Sequence, residues 1–279
     1  MNIKIITDSA SDITNSDRKY LIVLPLTITF SGTEYQDGVN LSHREFYEKL
    51  IESDELPTTS QIPPYAFEKA IREVIQSGDI PIVITLSSKL SGTYQSACIA
   101  ASEFEEDIYV VDSENVAVGE RALVRYALRL MDEGKDAKFI VDELEKSKKH
   151  IHTIALLDTL EYLKKGGRIS KTVAFAGNVL NIKPVVGVVD GEVIILGKAR
   201  GSKQGNNLLV EQINHFGGID FEKPYILGYT GLSDALIQKY ITDSKAIWQD
   251  HTDNLPVYTV GGTIGTHVGP GAIAVAFFS

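Results

Sequence analysis

The chain of 279 residues has a single cysteine, Cys98, so neither an intrachain disulfide nor a cysteine-based zinc site can form. Positive charge is also scarce: 27 Lys and Arg stand against 37 Asp and Glu, a net charge of −10. Nucleic acid is bound by clustered Lys and Arg, and no such stripe occurs, so nucleic acid is not an expected partner. Long apolar runs are missing. The longest, Ala272 to Phe278, is far shorter than the roughly 20 residues that cross a bilayer. The N-terminus enters a strand pattern at Ile3 with no basic region and apolar leader before it. No stable membrane insertion is therefore expected, and a hydrophobic fraction of 43% with 23% charged residues suits a cytoplasmic globular protein. The phosphate-binding pattern G-x-x-x-x-G-K-[ST] is absent. Asp8 and Asp12 sit in an Asp/Ser cluster of the kind that caps and turns, and His150-x-His152, which would place two imidazoles on one strand face, lacks a third ligand nearby and reads as a solvated pair. Neither a metal nor a cofactor is expected.

Alternation of strand and helix patterns dominates what is present. Ile3–Thr7, Leu21–Phe30 (broken by Pro25), Ile82–Leu86 and Ile108–Val111 read as strands. Ser42-x-x-Glu45 forms a capping box ahead of Phe46, Leu50 and Ile51. Thr58-Thr59-Ser60-Gln61 reads as a polar loop, and Pro63-Pro64 opens the helix of Phe67, Ile71 and Val74. Such alternation predicts a parallel sheet with helices on both faces, Rossmann-like, with ligands outside the C-terminal strand ends. Three polar clusters fall at those ends: Asp8–Asp12, Ser87–Thr93 and Asp112-Ser113. Beyond about residue 155 the texture changes. Helices are predicted over 160–165 and 171–180, and Asp190-Gly191 between two β-branched runs is a hairpin signal. Two domains are expected: residues 1–155, parallel α/β, and 156–279, α+β with a mixed or antiparallel sheet, with the ligand between them.

Three stretches carry candidate chemistry. Ser87–Gly92 joins a strand to a helix start, where free N–H groups and the helix dipole favour an anion; taken alone, Ser91 reads as that helix's cap. Gly261–Gly271 reads as a long glycine-rich loop holding His267, a candidate donor to an anion. Gly231-Leu232-Ser233-Asp234-Ala235 follows a strand and approximates the G-x-S-x-G nucleophile elbow, with alanine in the final place. With His267 later in the chain, it supports an alternative reading as a serine hydrolase of an ester or acyl substrate. The simpler reading is that Ser233 caps the following helix.

Taken together, Thr7-Asp8-Ser9-Ala10-Ser11-Asp12, Thr58-Thr59-Ser60-Gln61, Leu86-Ser87-Ser88-x-x-Ser91-Gly92-Thr93-Tyr94-Gln95-Ser96-Ala97, Asp112-Ser113, Leu160-x-Tyr162-Leu163-x-x-Gly166-Gly167-Arg168-Ile169, Lys183-Pro184 and His267-Val268-Gly269-Pro270-Gly271 resemble the DegV family over essentially the whole chain. The resemblance implies a two-domain α/β protein that binds one long-chain fatty acid between its domains. Some members present that acid to a separate fatty acid kinase catalytic subunit, which forms the acyl phosphate. By the same resemblance Thr59, Ser60, Ser91, Gly92, Thr93 and His267 bind the carboxylate, while Arg168 and Arg200 lie near the phosphate or the partner. Thr58, Thr59 and Ser60 are adjacent, and their order alone does not choose which hydroxyl faces the ligand. Burying an alkyl chain of about 14 carbons yields roughly 10 kcal/mol gross before ordering costs, so the head group has to orient more than it has to bind.

Overall fold

The computed structural model describes residues 2–13, 20–169 and 181–279. β1 (Ile3–Asp8) pairs in parallel with β2 (Leu21–Leu24). β3 (Thr27–Phe30), β4 (Thr33–Gln36) and, after helix α1 (His43–Glu52), β5 (Thr58–Ser60) make a separate antiparallel sheet in the order β4-β3-β5. Helix α2 (Pro64–Gln76), β6 (Ile80–Thr85), α3 (Thr93–Ala101) and β7 (Tyr109–Asp112) complete a parallel sheet of order β2-β1-β6-β7. Helices α4 (Val118–Asp132) and α5 (Ala137–Ser147) follow. In the remainder, β8 (Ile151–Leu156), α6 (Glu161–Lys165), β9 (Ile182–Val189), β10 (Glu192–Arg200), α7 (Gly201–His215) and β11 (Ile226–Tyr229) come first. They are followed by α8 (Ala235–Asp243), α9 (Lys245–Trp248), β12 (Val257–Thr259), α10 (Gly262–Val268) and β13 (Ile273–Phe278). The six strands here pair in the order β10-β9-β8-β13-β11-β12, antiparallel throughout except for β11 and β12. The architecture is α/β, with an N-terminal parallel sheet and a C-terminal mixed sheet.

The period of two along each strand sets the layers. Ile5, Ile82 and Ile84 face α4 and α5 through Leu123 and Leu144, whereas Ile6 and Val83 face α2 and α3 through Phe67, Ile71, Val74 and Ala97. Helix α4 also touches the second sheet, since Ile226, Ala276 and Phe278 share its cluster. The other face of that sheet is covered by Leu209, Ile213, Ile237, Tyr240 and Trp248 of α7, α8 and α9.

Local signals explain several element ends. The capping box forms: Ser42 N donates to Glu45 Oε2 at 2.9 Å and Glu45 N to Ser42 Oγ at 3.3 Å. Asp190 (φ 50°) and Gly191 (φ 81°) make the two-residue hairpin turn between Val189 and Glu192. Four expectations change. Thr58–Ser60 is a strand rather than a loop, because its backbone pairs with Thr27–Thr29. Gly262–Val268 is a helix rather than a loop. All of Ile151–Leu156 pairs in the six-stranded sheet, so the boundary expected at 155/156 would cut one of its strands. His150 ends a short 3-10 turn while His152 lies in β8 and stacks on Phe216 at 4.2 Å, so the two imidazoles do not share a strand face. The helix predicted over 171–180 lies outside the described residues.

Candidate functional site

The polar clusters at the ends of the parallel strands are first of all fastened to one another. Asp8 accepts from Leu86 N at 2.8 Å and Ala10 N at 3.0 Å, and Asp112 Oδ1 accepts from Ser88 N at 3.2 Å. Ser87 Oγ donates to Gly191 O at 2.7 Å, tying the hairpin turn of the second sheet to the loop after β6. The end of β5, the loop after β6, the end of α6, and α10 line one cavity.

The polar part of its wall is Thr59, Ser60, Gln61, Ser91, Thr263, Arg168 and His267. Thr59 Oγ1 and His267 Nε2 are 2.9 Å apart. Burial, and then the charge of Arg168, lower the His267 pKa to about 4, so the ring is neutral at physiological pH. His267 Nδ1 is shut off from solvent with no hydrogen-bond partner among the described residues. It lies under Gly166, where an added Cβ would come within 2.2 Å of it. The ring therefore reaches the cavity through Nε2 and the Thr59 hydroxyl. Arg168 donates from Nε to Leu90 O at 3.1 Å and from Nη1 to Gly166 O at 2.6 Å, which holds the guanidinium in the wall. Among the described residues this wall contains one guanidinium and no carboxylate.

Ser91 does not cap its helix in the usual way. The N-cap position is Gly92, and Ser91 Oγ lies 3.3 Å from Thr93 N and 2.9 Å from Thr93 Oγ1. Its hydroxyl is thus fixed beside the helix start while its side lines the cavity. Gly92 and Thr93 do not line it. A Cβ on Gly92 would fall 2.0 Å from Gln61 Oε1, so the glycine makes room for Gln61, and Thr93 is fully buried behind Ser91. Arg200 is exposed at the end of β10 and lines neither this cavity nor the next. Ser233 also lies apart from His267: it is exposed, accepts only a local bond from Ala235 N at 3.2 Å, and lines neither cavity. The elbow-and-histidine arrangement of a hydrolase is not assembled.

A second cavity adjoins the first, with Val116, Leu163, Val193, Ile264 and Val268 forming walls of both. Its remaining wall is almost wholly apolar, and the two threonines in it are engaged: Thr153 Oγ1 donates to Asn115 Oδ1 at 2.6 Å and Thr230 Oγ1 accepts from Ala272 N at 2.8 Å. Sequence reasoning missed the reason this space exists. Gly228 pairs with Ala274 and Ala274 with Ala155, so one row across three strands is built of small residues before it reaches Val186 on the fourth. Opposite it stands the start of α4, entered through Ala117 at φ 53°. The available signal was the recurrence of Ala or Gly at inward strand positions where Ile, Leu or Val would fill the core.

The family model that matches, over residues 2–279, describes an uncharacterised protein of the DegV family. A DegV domain-containing protein of Caldanaerobacter subterraneus is 35% identical over 280 residues, covering 99% of this chain and 98% of the relative. The solved structure of a fatty-acid-binding DegV family protein from Thermus thermophilus superposes with a TM-score of 0.88 at 30% identity, covering 100% of both chains. That of DegV, a fatty acid binding protein from Bacillus subtilis, gives 0.84 at 29% identity, also over 100% of both.

Proposed function

Because the chain belongs to the DegV family, we propose that it binds one long-chain fatty acid, carboxylate in the polar cavity and alkyl chain in the apolar one. The observation that carries this reading is the junction itself. A cavity whose wall has hydroxyls, a guanidinium and no carboxylate shares five wall residues with an apolar cavity beside it. An anion alone would not need the second cavity, and an uncharged lipid would not need the first. With His267 neutral, Nε2–H donates to Thr59 Oγ1 and leaves the threonine O–H to donate to the carboxylate. Ser60 and Ser91 add hydroxyl donors, and Arg168 supplies the charge-assisted contact. Burial of each methylene contributes about 0.8 kcal/mol, so affinity comes mainly from the tail and orientation from the head.

In this reading the protein has no catalytic machinery of its own and serves a separate kinase subunit. One carboxylate oxygen faces outward to attack a phosphoryl donor, and Arg168 then neutralises the added charge. Arg200, exposed outside the cavities, is assigned to the partner-facing surface rather than to the head group. The decisive experiment is solvent extraction of the purified protein followed by mass spectrometry. A stoichiometric long-chain acid, diminished in Ser91→Ala and His267→Ala and retained in Ser233→Ala, supports the proposal. Protein that carries no lipid and takes up none when incubated with hexadecanoate ends it.

A further inference from the structure

Helix α10, which carries His267, has no local N-cap. Its N-cap position is Gly261, and a Cβ there would lie 2.7 Å from both Asp12 Oδ1 and His43 Nε2, so no Ser, Thr, Asn or Asp could be accommodated. The orphan N–H groups are instead met by carboxylates from the other end of the sequence. Asp37 Oδ1 accepts from Gly262 N and Oδ2 from Thr263 N, both at 3.1 Å, and Asp12 Oδ1 accepts from Gly261 N at 2.7 Å. Asp37, at 3% exposure, is itself held by Ser9 Oγ at 3.2 Å. It follows directly on β4, in the same small sheet whose β5 carries Thr59.

That sheet and α1 form a cradle against which α10 lies flush. A Cβ on Gly262 would meet Ile28 Cδ1 at 2.6 Å, and one on Gly265 would meet Phe46 Cε1 at 2.6 Å. Asp37 thus grips the first turn of α10 from just after β4, and Thr59 the last from β5 of the same unit. A helix whose N–H groups are satisfied only when docked has one low-energy position, and that position sets where the imidazole stands.

We propose that Asp37 is a positioning residue for the head-group site, acting through His267 by capping α10 from the N-terminal half of the chain. This rests on the fatty-acid reading of that site only for its affinity readout. The test uses the full-length protein as Asp37→Asn, which keeps the volume but turns an amide N–H₂ toward a backbone N–H, together with His267→Ala and the double variant. Hexadecanoate binding is followed by calorimetry and the His267 ring by nitrogen-15 NMR across pH. Asp37→Asn is expected to weaken binding about tenfold, and the double variant to bind no worse than His267→Ala alone, because one residue acts through the other. The ring of Asp37→Asn is expected to titrate at higher pH than in the native protein. Multiplicative losses in the double variant, or an unchanged ring titration, overturn the proposal. If hexadecanoate binds none of these proteins, the fatty-acid reading falls while the ring titration still decides the role of Asp37. Should Asp37→Asn not fold, Ser9→Ala, which removes the hydroxyl holding Asp37, is read in its place; the same change of smaller size supports the proposal and no change overturns it.

Discussion

At its N-terminal end α10 meets acceptors, and at its C-terminal end it meets donors. Around Gly261–Thr263 stand Asp12 and Asp37, with Asp8 and Glu120 behind them; backbone N–H groups and the Ser9 and Thr7 hydroxyls answer these carboxyls from within the chain, and Arg121 donates to the Asp12 main-chain carbonyl. Around His267 stand Thr59, Ser60, Ser91 and Arg168, and no carboxylate of the described residues lines their cavity. Both clusters are rich in polar groups, so polarity alone does not distinguish a site from a scaffold. The balance does: the carboxyls of the first cluster are met mostly from within the protein, with Asp12 Oδ2 and Glu120 Oε2 left without a partner among the described residues, while the second is a set of donors whose acceptor something else must bring.

The largest expected effect comes from disturbing the acidic cluster. Arg121 donates to Asp12 O, lies 3.4 Å over the Tyr258 ring and is favoured electrostatically by the buried Asp12 carboxyl. Arg121→Met strips Asp12 of that partner and is expected to destabilise the fold by about 3–5 kcal/mol in urea unfolding. The comparison breaks if stability holds while fatty acid binding collapses, since Arg121 would then belong to the site.

A pH series sharpens the same contrast. Burial, offset in part by the bonds from Leu86 and Ala10, raises the Asp8 pKa from 3.8 to about 7. Burial and then the neighbouring Asp8 raise Glu120. A carboxyl whose folded pKa is raised contributes stability that is complete below its unfolded pKa and is lost as pH rises through its folded one. Each tenfold difference in proton affinity between the folded and unfolded chain corresponds to about 1.4 kcal/mol, so unfolding free energy should fall by a few kcal/mol between about pH 4 and pH 8. Glu120→Gln, neutral at every pH, should flatten that slope. Stability that climbs with pH over this range would show that the acids are ionised partners after all.

How much of this was legible beforehand follows from which physics each element obeys. The parallel strands, the Ser42/Glu45 box and the Asp190-Gly191 turn are local and could be read. So could the meeting of Thr59, Ser60, Ser91, Arg168 and His267, though only through the family pattern, because their spacing along the chain implies no proximity. Helix α10 was hidden by its own glycines. Each costs a helix about 1 kcal/mol relative to alanine, yet Gly262 and Gly265 are what allow contact with Ile28 and Phe46. Strand β5 is three hydroxyl residues long and exists because β3 pairs with it. Asp37 belongs to no motif, and its role arises from a bond 225 residues away in sequence.

At the donor-rich end, His267→Ala should weaken hexadecanoate binding by about 10- to 100-fold, because the Thr59 hydroxyl loses the ring that orients it and with it a charge-assisted bond to the carboxylate of about 1.5–3 kcal/mol. Calorimetry gives the affinity and thermal unfolding the stability. The melting point should fall only slightly, because loss of the Thr59 bond is offset in part by removal of a buried Nδ1 that has no partner among the described residues. A fall in stability comparable to that of Arg121→Met would erase the distinction between the two ends of α10.

The smallest effect is expected at Ser233, and it separates the carrier from the hydrolase. Its hydroxyl makes one local bond, to Ala235 N, on an exposed helix start that faces neither cavity. Ser233→Ala should change stability by no more than about 0.5 kcal/mol and leave hexadecanoate affinity unaltered. Ester hydrolysis assayed with p-nitrophenyl butyrate should be equally weak in both proteins. Activity present in the native protein and lost with Ser233→Ala would require Ser233 and His267 to meet in a conformation other than this one, and α10 would then be a moving part. The grip of Asp37 and Thr59 on its two ends argues against such motion, because leaving the cradle would strand three N–H groups and two carboxylates together.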